Sequence, residues 1–387
     1  MSKHLPGSLY ASGLEERRDL LVERRRFELG TFVTQQGAAI PEARFAWESY
    51  GELNAAGDNA ILVNHFFLGF GHAAGRYSPE DRYSGFWDDM IGPGKAIDTR
   101  KFCVIAADCL CNVYPHHPQV VTTGPASIDP RTGERYGLRF PMITVRDLIG
   151  AQKALLDSLG IGRLHAIVGA GFGGIQAYEF AVTYPDRVAR IIPLCATAET
   201  DGWQIAWMSA WTTPIRLDPN WNGGNYYGGA PPTAGLIETM KMIYLNSRHW
   251  TLLQESYGRH WADPEKDPTV SLIDDFAVER ALEEAGRRRA HHADANHVLY
   301  LAKASQSFQA GGSVGLDAAL ARLKAAVLTI HTPNDQLYAG PGFRNNVARM
   351  MRHGTRLRVI ERTDVYSHVE AIAHIGPVEA AIKKFLH

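Results

Sequence analysis

From Arg44 onward, short apolar runs of strand length alternate with longer stretches whose apolar residues fall three and four apart. The runs are Arg44–Tyr50, Ala60–His65, Phe102–Ala107, His165–Val168, Ile191–Leu194, Ala326–His331 and Arg356–Ile360. Several are continuous and apolar throughout, as strands covered on both faces require. The clearest helical spacing runs over Thr144–Leu159, where Val145, Leu148, Ile149, Leu155, Leu156 and Leu159 recur and Thr144 with Asp147 forms an N-capping pair. Strands alternating with helices predict an α/β domain with a mostly parallel sheet. Between Glu199 and Gln309 the strand-like runs disappear. Pro/Gly-rich loops such as Asp218–Pro232 alternate there with helical stretches, best at Met240–Ser247 and Asn296–Phe308. The strand pattern returns at Ala326. This order predicts one core, residues 1–198 and 310–387, carrying a helical lid at 199–309. The charged run Glu15–Arg26 mixes acids and bases, and is expected to be a solvated helix or arm.

Composition narrows the function more by exclusion than by suggestion. The 387 residues carry 40 Lys+Arg against 41 Asp+Glu. That balance argues against nucleic acid or an anionic membrane as the main partner. No apolar run reaches the roughly 18 residues of a membrane span, and the first thirty residues show no secretory signal. Four cysteines are too few for a disulfide framework in a chain of this length, so a reducing cytoplasm is the expected compartment. Cys109, Cys111, His116 and His117 lie close in sequence but lack the CxxC spacing of zinc sites. No metal is expected.

The most informative segment is His165–Ala177, a buried strand that enters a glycine-rich turn and then a helix starting near Gly174. Its frame, Gly169-Ala170-Gly171-Phe172-Gly173, matches the G-x-S-x-G elbow of α/β-hydrolases except at the nucleophile, where Gly171 has no side chain to acylate. Read as G-x-G-x-x-G the same residues also match a dinucleotide fingerprint. Its mid-chain position and the lack of an acidic residue about 20 positions on weigh against that reading. Triad partners are expected in the order acid, then histidine. Asp335 follows the strand Ala326–His331, and His368 follows Arg356–Ile360, so both can meet above the same sheet edge. The backbone amides of Phe67, after an early strand, and of Phe172 are the expected oxyanion hole.

With these motifs in place, the sequence resembles the homoserine O-acetyltransferase family of α/β-hydrolase-fold acyltransferases. The resemblance covers about nine-tenths of the chain. It rests on Tyr50–Asn59, Trp87–Thr99, Thr144–Asp147, Asp218–Tyr227, Asp294–Asn296 and the regions of Asp335 and His368. It implies Gly171, Asp335 and His368 as the triad positions and Phe67 and Phe172 as the oxyanion frame. It further implies a cytoplasmic homodimer formed through the lid, no metal, and acetyl-CoA as co-substrate if the chain is a transferase.

The departures from the family carry equal weight. The arginine that holds the family's amino-acid substrate falls in a segment that reads Thr212-Thr213-Pro214 here, and the early loop has become His65-Phe66-Phe67-Leu68-Gly69-Phe70. Losing a carboxylate clamp while gaining aromatics points to a less polar small-molecule substrate. Phe66, Trp207, Trp211 and Tyr227 are the expected substrate contacts. Gly171 admits three explanations: a serine removed by engineering, natural loss of the nucleophile with a His–Asp pair kept to activate water or a substrate proton, or a silent ligand binder. The retained Asp335 and His368 favour the first. The expected activity is hydrolysis of an ester, thioester or amide, with acetyl-CoA-dependent O-acetylation as the alternative.

Overall fold

The computed structural model describes residues 20–338, 340–365 and 367–387. Eight strands form the main sheet: β1 (Arg25–Val33), β2 (Ala39–Tyr50), β3 (Ala60–Asn64), β4 (Cys103–Ala107), β5 (Ala166–Ala170), β6 (Arg190–Leu194), β7 (Ala326–His331) and β8 (Leu357–Glu361). Their spatial order is β1-β2-β4-β3-β5-β6-β7-β8. Only the β1–β2 and β2–β4 pairings are antiparallel. From β4 to β8 every neighbour is parallel.

The seven expected strands are present, with ends shifted by a few residues. The sequence pattern missed β1. Its residues are largely exposed at the sheet edge, so they show no apolar run. It also overlaps the charged run Glu15–Arg26. Residues 15–19 of that run lie outside the described residues, and from Arg25 the chain is a strand rather than a helix.

Residues of β3, β5 and β6 are buried on both faces. Their period-two alternation divides the core in two. Leu62, Ile167, Ile191 and Val327 pack with α1 (Val145–Ser158) and α2 (Phe172–Thr183). On the other face Ile61, Val63, Val168, Ile192 and Leu328 pack with Ile382 and Leu386 of the C-terminal helix Glu379–Leu386. Thr144 and Asp147 close a reciprocal capping box on α1, and Asp147 also accepts the Gln35 amide at 2.6 Å.

After β6 the chain enters five helices: α3 (Gly202–Leu217), α4 (Thr233–Asn246), α5 (Trp250–Tyr257), α6 (Ala277–Ala290) and α7 (Ala295–Gln306). It leaves and returns at a short antiparallel stem. Thr200 N donates to Phe308 O at 2.9 Å and Ala310 N to Ala198 O at 2.8 Å. Two of the motifs quoted above meet inside this region. Asp294 caps α7 and accepts the hydroxyls of Tyr226 and Tyr227 at 2.8 and 3.0 Å. Asn296 accepts Trp221 Nε1 at 2.9 Å and donates to Gly224 O at 2.9 Å. Among the described residues no helix is long and apolar enough to cross a membrane.

Candidate active site

Strand β5 ends at Ala170 and α2 begins at Phe172, so Gly171 alone makes the turn between them. It does so at φ 50°, ψ −113°, a conformation that costs a side-chain-bearing residue about 1–3 kcal/mol. The helix crosses the sheet very closely. A Cβ on Gly173 would sit 2.3 Å from Asn64 O, and one on Gly169 would sit 2.3 Å from Gly173 O. Packing of strand against helix therefore accounts for these two glycines. The helix starts at Phe172, two residues earlier than the sequence pattern suggested.

Asp335 lies in the turn after β7, and His368 opens α8 (His368–Ala373), capped by Ser367. His368 Nδ1 is 2.7 Å from Asp335 Oδ2. The other carboxylate oxygen accepts the amides of Leu337 at 2.7 Å and Tyr338 at 3.0 Å. Burial on its own raises the Asp335 carboxyl pKa. The facing imidazole and the two amides outweigh it and hold the group below the usual carboxylate range. An ionised Asp335 only accepts, so Nδ1 carries the proton and Nε2 is left as the basic nitrogen. Nε2 faces the elbow. A Cβ built on Gly171 would stand 3.0 Å from it.

Phe67 and Phe172 come together on the opposite side, with ring centroids 5.9 Å apart in an edge-on contact. Among the described residues neither backbone amide has an acceptor. Phe172 is also the first residue of α2, where the helix dipole favours negative charge. The loop that carries Phe67 is tied down by Asn112, which donates to Gly69 O at 2.9 Å, and by a turn from Gly69 N to Phe66 O at 2.9 Å.

These groups border a small cleft of about 50 Å³ that opens to solvent. Its lining is Phe67, Phe172, Gln204, Met208, Trp211, Ser305, Leu337, Tyr338 and His368. Of the four expected substrate contacts, Trp211 alone lines it. Phe66 turns beneath the loop and packs edge-on against Phe86 at 5.3 Å, because its neighbours on that side are core residues. Trp207 packs against Trp203 at 5.8 Å. Tyr227 is held away by Asp294. Trp203, Trp207 and Trp211 lie four apart along α3, and of the three only Trp211 lines the cleft.

Gln204, Met208, Ser305, Leu337 and Tyr338 were not expected. They come from the lid and the Asp335 turn, and no local motif marks them. Cys195 was missed as well. Its thiol and the ligating atoms of Asp335 and His368 lie within 4.8 Å of one another. Burial, reinforced by Asp335, pushes this thiol's pKa well up, so it is a neutral neighbour rather than a nucleophile. Cys109, Cys111, His116 and His117 form no such group among the described residues.

A serine elbow frame, a buried acid–imidazole pair and two open amides on a parallel sheet define the α/β-hydrolase class of acyl-transfer enzymes. Residues 69–281 match the family model described as alpha/beta hydrolase fold. The chain is 38% identical to the homoserine O-acetyltransferase of Moorella thermoacetica, covering 91% of this chain and 92% of that one. Among solved structures, homoserine O-acetyltransferase from Bacillus anthracis superposes with a TM-score of 0.89 at 34% identity, over 95% of this chain and 98% of that chain. Esterase E22 superposes at 0.90 with 38% identity, over 95% and 100%. The chain belongs to the homoserine O-acetyltransferase family within the α/β-hydrolase fold.

Proposed function

We propose that this chain transfers a short acyl group from an acetyl-CoA-type thioester to a small uncharged hydroxyl compound. The observation that carries the reading is the close approach of His368 Nε2 to an elbow without a side chain, where a Cβ built on Gly171 would stand 3.0 Å from it. No acyl-enzyme can form at Gly171. The acceptor's own hydroxyl instead reaches Nε2 from the cleft that His368 lines. His368 Nε2 takes the acceptor proton as its oxygen attacks the thioester carbonyl, while Asp335 stabilises the imidazolium. The amides of Phe67 and Phe172 receive the developing oxyanion. The C–S bond then breaks, and the same proton passes from His368 to the leaving thiolate. Transfer takes place within one ternary complex, through a tetrahedral intermediate and without an acyl-enzyme.

The acceptor's lack of charge follows from the cleft wall. Among the described residues its lining holds no lysine or arginine. Thr212, at the position of the family's arginine, spends its hydroxyl on Met208 O at 2.9 Å. Water in place of the alcohol gives hydrolysis, the second reading. It is supported by the mostly apolar wall and by the likeness to esterase E22. We place the core at 1–198 and 310–387 with the lid at 199–309, and propose a cytoplasmic homodimer through the lid that needs no metal.

Thiol release from acetyl-CoA with a panel of uncharged alcohols tests the proposal. Release that rises with alcohol and is lost in His368→Ala is expected. Equal release with and without alcohol means hydrolysis. Release unaffected by His368→Ala overturns both.

A further inference from the structure

A second, larger cavity of about 160 Å³, also open to solvent, lies beside the cleft. The two share the segment 367–369. Ser367 and Val369 line the larger cavity, while His368 between them lines the cleft. The other wall includes Arg248, which is only 4% exposed. Its Nη1 donates to Tyr244 O at 3.1 Å and Ser247 Oγ at 3.4 Å. Among the described residues Nε and Nη2 have no acceptor, and no carboxylate lies within 4 Å of the guanidinium.

A second cation deepens the imbalance. The guanidinium carbons of Arg248 and Arg289 lie 3.3 and 4.7 Å from the centroid of the same Tyr244 ring. Arg289 donates to Ala285 O and likewise has no carboxylate partner among the described residues. Burial lowers the Arg248 pKa to about 10 and lowers Arg289 as well. The aromatic face offsets part of this cost, but buried charge is ordinarily paired. Of the cavity's acids, Asp88 is engaged by the Gly75 amide at 2.7 Å and by Lys95 at 3.5 Å. Glu370 attracts Arg248 through space but forms no hydrogen bond with the guanidinium.

We propose that this cavity is an anion subsite in which the Nε–Nη2 edge of Arg248 holds a phosphate carried by the thioester donor. The edge presents two parallel donors, the geometry that suits a phosphate. The substrate assignment rests on the acyl-transfer reading above, in which the acceptor is uncharged. The cavity is separate from the cleft, and a coenzyme A thioester carries its phosphates far from the acyl carbon.

Calorimetric titration of the full chain with coenzyme A, inorganic pyrophosphate and 4-hydroxybutyrate tests this, comparing wild type with Arg248→Gln. Thermal melting with and without each compound runs alongside. Coenzyme A and pyrophosphate are expected to bind wild type and to weaken by about tenfold or more in the variant. Binding of the hydroxy acid alone overturns the donor assignment. Without ligand, Arg248→Gln is expected to melt no lower than wild type, because it removes a buried unpaired charge. Equal binding by both proteins, no binding at all, or a variant that melts well below wild type overturns the proposal. Binding is measured without turnover, so its failure is distinct from a failure of acyl transfer.

Discussion

The Cβ that Gly171 lacks would stand 3.0 Å from Nε2 of His368. The imidazole and the carboxylate it meets lie beside a turn without a side chain. Gly171→Ser fills that position. The variant is expected to hydrolyse p-nitrophenyl acetate at least about 100-fold faster than the glycine form, the scale of a positioned general base acting on a nucleophile. Mass spectrometry should then find a transient acetyl group on residue 171. The strained turn at φ 50° lowers stability by about 1–3 kcal/mol, visible as a lower melting temperature. No gain in rate would remove the elbow assignment.

Asp335→Asn keeps the shape of the pair but removes its charge. Acyl transfer is expected to fall by about 10²–10⁴-fold, since the imidazolium loses its counter-ion and the ring its fixed tautomer. The same variant changes acid stability. Asp335 has a folded pKa below its unfolded one, so its stabilisation is full above the unfolded value near 4 and is lost as pH falls through the folded value. Urea melts below about pH 4 should show a shallower loss in Asp335→Asn than in wild type.

Phe67 and Trp211 face one another across the cleft with centroids 6.3 Å apart. Trp211→Ala opens that wall. In the Gly171→Ser background, the ratio of butyrate to acetate turnover is expected to rise by about tenfold, with about 3–5 kcal/mol lost in stability. An unchanged ratio would place the acyl group elsewhere.

His117 is pushed down to about 4 by burial, assisted by the nearby His292, Arg24 and His72. Between that value and its unfolded pKa near 6.5 the unfolded chain binds the extra proton. Stability is therefore full above about 6.5 and declines as pH falls towards 4. His117→Gln is expected to flatten this decline. Identical pH profiles for the two proteins would exclude His117 as its source.

The sequence by itself determined whatever is carried by neighbours along the chain. Two-face burial marked β3, β5 and β6 as continuous apolar runs, and the frame Gly169–Gly173 declared the tight turn from strand to helix. Asp335 and His368 were legible because chain order after late strands is a local property. Tertiary structure decided which distant groups share a space. Phe66 and Phe67 are adjacent and chemically alike, yet one packs against Phe86 beneath the loop and the other borders the cleft. Trp207 and Trp211 differ only by one helical turn. Gln204, Ser305 and Tyr338 come from three separate segments, and Arg248 meets Tyr244 at the wall of a cavity only because folding brings Ser367 and Val369 opposite it. Pairing, burial and cavity shape depend on contacts far apart in sequence, and no short pattern encodes them.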